Sequence, residues 1–249
     1  MPDHDFKSPR LFVEADLAEA VAIEASADQL NYLLNVMRLG ETGSVLIFNG
    51  RDGEWRARLQ RESKKRLLLV PERQVRAQTP QGALHYLFAP LKSARLDYMV
   101  QKAVEMGASV LQPVMMQHVQ APKFNLGRMR ANAVEAAEQC GILALPECRE
   151  MVRLADLLAN FDPARRLVFC DERADSASPI EILRAEPARP VSLLIGPEGG
   201  FSADERALLH ACDFVTPISL GPRILRADTA AVAALAVVQA AVGDWQSGA

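Results

Sequence analysis

The chain has 249 residues, 49% of them hydrophobic and 24% charged, with a formal net charge of −3. That balance excludes a disordered chain and supplies no bulk positive charge for nucleic acid. The longest apolar stretch, residues 230–242, falls short of the roughly 20 residues a membrane crossing needs, the polar start MPDHDFKSPR lacks a leader's pattern, and Cys140, Cys148, Cys170 and Cys212 stand without CxxC pairing, which argues against zinc and disulfides and fits a reducing cytoplasm.

In chain order, acids dominate the first thirty residues and bases dominate Arg51 to Arg76, a local stripe able to bind phosphate even on an acidic protein. Ser26 predicts an N-cap for a helix over Ala27 to Arg38, with Leu30, Leu33, Leu34 and Met37 on its apolar face and Gly40 ending it. Val45 to Phe48 and Glu54 to Gln60 predict strands around the turn Asn49 to Gly53. In the second, Trp55, Ala57 and Leu59 alternate with Glu54, Arg56 and Arg58. A turn at Glu62 to Lys65 leads into Arg66 to Val70, and the whole describes a small β-barrel or sheet. Residues 71–82 lose periodicity and hold two prolines, which predicts a boundary between domains at 1–75 and 83–249.

Strands and helices then alternate. Strands are predicted at Leu84–Ala89, Val110–Met116, Leu167–Cys170, Val191–Ile195 and Phe214–Leu220. Helices are predicted from Ser93, as cap, to Gly107, then at Leu126–Cys140, Leu154–Leu158, Ile180–Leu183 and Thr229–Val242. This is an α/β pattern with a mostly parallel sheet. The last helix is apolar on nearly every face, and either the fold's own centre or a second subunit must cover it.

Two glycine loops follow strands, Gly196-Pro197-Glu198-Gly199-Gly200 and Gly221-Pro222-Arg223-Ile224-Leu225-Arg226. Loops at the C-terminal ends of strands are where α/β sheets hold ligands, although a tight turn needs glycines too. Ser202 and Glu205 form a capping box directly after the first loop. Asp228 or Thr229 is the expected N-cap of the last helix, and Arg226 beside that helix start opposes its dipole, as a residue answering to an anionic substrate would. No GxGxxG or GxxxxGK[ST] fingerprint exists. His4, His85, His118 and His210 lack metal-like spacing, His210 reads as solvated, and Gln101, Lys102 and Glu105 read as a solvated helix face.

Together, GPEGGFSADE, LGPRILRADTA, QKAVEMG and AAEQCG, with VMRLG, VLIFNG and W-x-A-x-L nearer the N-terminus, resemble the bacterial 16S rRNA (uracil-N3)-methyltransferases of the SPOUT superfamily over almost the whole chain. The resemblance implies a PUA-like RNA-binding domain, a C-terminal domain with a deep trefoil knot, a homodimer, and S-adenosylmethionine held by Leu194, Ile195, Gly196, Gly200, Leu220, Gly221, Ile224, Leu225 and Arg226. It implies 16S rRNA in the small ribosomal subunit as partner, with no metal and no membrane. Two departures stand out: Asp228 replaces the family's usual Glu, and a His common near Asn31 is missing. Methylating uracil N3 requires removal of its proton, so Arg226 is expected to meet the developing charge and Glu198 to accept the proton or orient the base. Arg38, Arg56, Arg58, Lys64 and Lys65 are expected to hold flanking phosphates. The alternatives are a SPOUT enzyme with another RNA target, such as a ribose 2′-hydroxyl, and a non-catalytic assembly factor.

Overall fold

A computed structural model describes residues 5, 7–40, 43–119, 124–174 and 178–246. The backbone divides into two units, Met1–Pro80 with Ala137–Leu145, and Gln81–Ala136 with Pro146–Ala249.

The first unit contains β1 (Arg10–Phe12), β2 (Ile23–Glu24), α1 (Ala27–Asn31), β3 (Ser44–Phe48), β4 (Glu54–Ser63) and β5 (Arg66–Arg76). They form one sheet in the order β1-β3-β4-β5-β2, parallel between β1 and β3 and antiparallel elsewhere. The alternation in β4 turns Ala57 and Leu59 into a core with Leu33, Val45, Ile47, Leu67 and Leu69; each fully buried aliphatic side chain stabilises by about 1.5–3 kcal/mol. Pro71 does not end the sheet. It pairs with Ala57 beside a register shift, and a bulge is where a strand tolerates proline, so β5 runs on to Arg76.

Two expectations for this unit are corrected. The helix capped by Ser26 and Gln29 is α-helical only to Asn31 and continues as a π-helical turn over Tyr32–Val36. Met37 therefore faces solvent, and Leu39 packs on the core in its place. Glu54, placed on the solvated side by alternation, is buried. Its carboxylate accepts from Arg10 Nε at 2.5 Å and from Arg76 Nε at 2.7 Å.

The second unit holds β6 (Leu84–Phe88), α2 (Ser93–Glu105), β7 (Ala108–Met115), α3 (Leu126–Cys140, its last turn in the first unit), β8 (Glu147–Cys148), β9 (Val152–Arg153), α4 (Leu154–Ala159), β10 (Arg166–Cys170), α5 (Pro179–Ala185), β11 (Val191–Ile195), α6 (Ala203–His210), β12 (Val215–Ile218) and α7 (Ala227–Val242). The sheet runs β12-β10-β11-β6-β7-β8, with β9 also on β7, and every pairing is parallel. All five residues of β11 are buried, as strands covered on both faces require. Because β10 lies between β12 and β11, loops distant in sequence meet at one edge.

Three details at element ends differ from expectation. Lys92 is the N-cap of α2, and Ser93 is its first helical residue. The last strand is only Val215–Ile218, which frees Ser219 and Leu220 for the following loop. Arg226 itself is the N-cap of α7, without a side-chain capping bond. Within one chain α7 is covered on one face only. Ala231, Ala234, Leu235 and Val238 are buried, whereas Val232, Ala233, Ala236 and Val237 are partly exposed. Its one interior polar side chain is satisfied, since Gln239 Nε2 donates to Met106 O at 2.7 Å and Oε1 accepts from Asp244 N at 3.1 Å. Among the described residues no helix is long and apolar enough to cross a membrane.

Two neighbours on β6 yield predictions. Tyr86 is fully buried and stacks on Phe88 at 5.1 Å, but its hydroxyl has no hydrogen-bond partner among the described residues. A buried unmade hydrogen bond costs about 1–3 kcal/mol, so Tyr86→Phe will raise the urea midpoint at unchanged slope. His85 is half-buried; burial, then the Arg165 and Arg149 charges, push its imidazole from 6.5 down to about 4. A depressed folded value gives stability present above pH 6.5 and lost as pH falls toward 4. His85→Gln will flatten the acid side of a stability-versus-pH curve in that window.

Candidate active site

A cavity of about 510 Å³ opens where β10, β11 and β12 end, within the ~300–1,000 Å³ of typical small-molecule sites. Its walls are residues 170–172, 195–201 and 219–227, with Ala230. The first glycine loop turns tightly. A Cβ on Gly196 would lie 2.7 Å from the Phe201 ring, and Gly200 sits at φ +72°, a conformation other residues rarely adopt. Gly200 N–H donates to Pro197 O at 2.9 Å. The capping box after it is complete, with Ser202 Oγ accepting from Glu205 N at 3.2 Å and the Glu205 carboxylate accepting from Ser202 N at 2.9 Å. Glu205 also accepts from Gln117 N at 2.7 Å, and His118 Nδ1 lies 3.0 Å from Gly200 O. A carbonyl only accepts, so this nitrogen carries the proton. The turn after β7 thus clasps the loop.

Of the residues expected around a cofactor, Ile195, Gly196, Gly200, Leu220, Gly221, Ile224, Leu225 and Arg226 line the cavity. Leu194 does not. Strand alternation turns it into the core beside Phe169 and Phe201. Glu198 is on the wall and is paired with Arg95 from the first turn of α2. Arg226 is exposed and makes no ion pair among the described residues.

The wall from β10 had no sequence signal. Asp171 is buried and accepts from Arg206, from His210 Nε2 at 3.2 Å and from Arg173 N at 2.9 Å. Arg206 also donates to Glu172 at 2.8 Å, which fixes a carboxylate on the cavity wall. His210, expected to be merely solvated, is tied to Asp171 and meets Phe169 edge-on at 5.4 Å. Burial pushes the Cys170 thiol up to about 12, so it is no thiolate nucleophile. His4 lies outside the described residues. Among those described, no group of three or more His, Cys, Asp or Glu could hold a metal.

In the first unit the basic stripe is largely neutralised from within. Arg56 donates to Asp5 at 2.8 Å, Arg58 lies 3.9 Å from Glu72, and Arg66 pairs with Glu24 and Glu62. Bonds from the Ser8 hydroxyl and from Arg56 hold the Asp5 carboxyl well below the usual range. Arg38, Lys64 and Lys65 make no ion pair among the described residues.

A family model described as an RNA methyltransferase domain matches residues 77–239, well over half of the chain. The chain belongs to that family. A second model, an RNA methyltransferase PUA domain, matches residues 26–72. Among relatives of this RNA methyltransferase, the ribosomal RNA small subunit methyltransferase E of Rickettsia conorii is 28% identical over 235 residues, covering 94% of this chain and 96% of that protein. The protein of the same name from Bacillus subtilis is 29% identical over 245 residues, covering 92% and 95%. A Legionella pneumophila structure, named as a methyltransferase in complex with the bound cofactor SAM, superposes with a TM-score of 0.84 at 29% identity over 96% of this chain and 99% of that one.

Proposed function

We propose that this protein transfers a methyl group from S-adenosylmethionine to N3 of a uridine in 16S rRNA. The observation that carries the reading is the cavity enclosed by three strand ends within the methyltransferase-matched residues, lined by an exposed arginine, Arg226, that makes no ion pair among the described residues. The small-subunit relatives and the SAM-bound Legionella structure support the cofactor and the RNA class.

The residues present fit the cofactor. Glycine backbone allows close approach, Leu220, Ile224 and Leu225 offer apolar walls for an adenine ring, and Asp171 and Glu172 place carboxylates where hydroxyl and ammonium groups find acceptors. When bound, S-adenosylmethionine supplies a methyl group activated by the sulfonium. This chain's residues position the base and manage its charge. Glu198, oriented by Arg95, takes the N3 proton or orients the ring, and Arg226 stabilises the negative charge that spreads to the uracil oxygens. N3 lies on the pairing edge, so the uridine is bound unpaired or flipped out. Lys64, Lys65 and Arg38 hold flanking phosphates, with Arg56 and Arg58 contributing once RNA competes for their carboxylate partners. The same reading includes a trefoil knot in the C-terminal unit, a homodimer that covers the partly exposed face of α7, and action on small subunits in the cytoplasm.

The test is label transfer from S-adenosylmethionine to small ribosomal subunits that lack the modification, followed by nucleoside analysis. Recovery of 3-methyluridine is the expected result. Label on a ribose hydroxyl would overturn the N3 assignment, and no transfer at all would overturn the reaction.

A further inference from the structure

The π-helical turn in the first unit sets an apolar pair and a cation in solvent together. Leu30, Leu33, Leu34 and Met37 have the spacing of one continuous α-helical face, which would bury Met37. Instead Met37 N–H donates to Tyr32 O at 2.8 Å and Leu39 N–H to Leu33 O at 2.9 Å, longer loops than the α-helical i to i−4 bond. One inserted residue rotates the succeeding side chains by roughly 100°. Val36 and Met37 are left 62% and 40% exposed, and Leu39 takes the place on the core. The next residue, Arg38, is held at φ +54°, a left-handed conformation costly for a side chain of its size. It makes no ion pair among the described residues, although carboxylates neutralise Arg51, Arg56, Arg58 and Arg66 of the same unit. A π-turn, a left-handed arginine and two exposed apolar side chains in succession all oppose stability, and such departures concentrate where a ligand is met.

We infer that Val36, Met37 and Arg38 form a nucleotide-reading platform, on which an unpaired base of the RNA substrate packs against the two apolar side chains while Arg38 holds the adjoining phosphate. RNA is favoured as occupant because the platform lies inside residues 26–72, matched as an RNA methyltransferase PUA domain, and because an exposed apolar pair beside an exposed cation complements an unpaired nucleotide. The identity of the partner rests on the function proposed above; the exposure and strain of the segment do not.

The test uses the full chain and 16S rRNA, with affinity measured by filter retention across a salt series and S-adenosylmethionine binding followed by calorimetry. The double change Val36→Ser/Met37→Ser is expected to weaken RNA binding about tenfold without altering the salt slope, since no charge is removed. Arg38→Ala is expected to reduce the slope by about one. Arg38→Gly is expected to raise the melting temperature while weakening RNA binding, a pairing that a purely structural residue would not show. Cofactor affinity stays unchanged throughout. Equal RNA affinity for wild type and the double variant, or no RNA retention by wild type, overturns the platform. A change in oligomeric mass with the double variant assigns the face to contact between copies and also overturns it. Methyl transfer failing while RNA retention behaves as expected would count against the reaction only.

Discussion

Replacing Arg226 by alanine is expected to slow methyl transfer to small ribosomal subunits about 100- to 1,000-fold, the usual loss when one preorganised electrostatic group is removed, without lowering the melting temperature. The two halves of that expectation share one cause. Arg226 is the N-cap of α7 but makes no side-chain capping bond, and its positive charge faces the positive end of a 16-residue helix. No carboxylate among the described residues pairs with it. Removing it therefore relieves a small repulsion and takes away no side-chain hydrogen bond or ion pair among the described residues, so a loss of rate belongs to the reaction. Arg226→Lys keeps the charge but not the planar fork, and should recover part of the rate. Single-turnover rates, thermal melts and calorimetric S-adenosylmethionine affinity separate the outcomes. A melting temperature that falls in step with the rate would make Arg226 a structural residue.

Glu54→Gln is expected to cost the N-terminal unit about 3–5 kcal/mol, because it removes the buried carboxylate on which two largely buried guanidinium groups converge. Arg10 and Arg76 are 8% and 11% exposed and converge on a carboxylate that is 3% exposed. Each also donates to backbone, Arg10 to Glu138 O at 3.2 Å and Arg76 to Gly141 O at 2.8 Å. Burial by itself pushes the Glu54 carboxyl up, but the bonds from Arg76 and Arg10 outweigh it and hold the group below its ordinary 4.5. With the folded value depressed, the stabilisation is complete above pH 4.5 and is lost as pH falls through the lower folded value. Urea titration in a Trp245→Phe background, read from Trp55 fluorescence, measures the effect in this unit. An acid-side stability curve identical for the parent protein and its Glu54→Gln variant would show that the ion network contributes nothing.

What the sequence made legible was local. The N-cap at Ser26, the capping box at Ser202, the β11 run and both glycine loops are short-range patterns in which neighbouring residues fix the outcome. Two features escaped for one reason, their dependence on partners remote in the chain. Asp171 and Glu172 come after β10 without a glycine or cap to mark them, and reach the cavity because β10 is inserted between strands that come later in sequence. Glu54 obeys an alternation that places it outside, and Arg10, 44 residues away, and Arg76, 22 residues away, make burial tolerable. Leu194 sits in a cofactor-contacting run by resemblance, but the two-residue period of a strand sends it to the core and Ile195 to the cavity. The π-turn escaped differently. Periodicity over residues 27–38 fits an α-helix, and the insertion becomes visible only in the Met37 and Leu39 hydrogen bonds.

The N-terminal unit is not finished where its sheet ends. Phe12 N–H finds its acceptor in the Glu138 carboxylate at 2.8 Å, and Arg10 and Arg76 find theirs in the backbone of residues 138 and 141. During synthesis, therefore, a nascent chain that has emerged only to Pro80 carries a sheet with two buried arginines still short of these acceptors. Completion waits for the segment ending at Leu145, after β6 and β7 have already been made. A shortened product stopped at residue 80 would inherit that incomplete state permanently, and binding studies on the N-terminal unit need the intact chain.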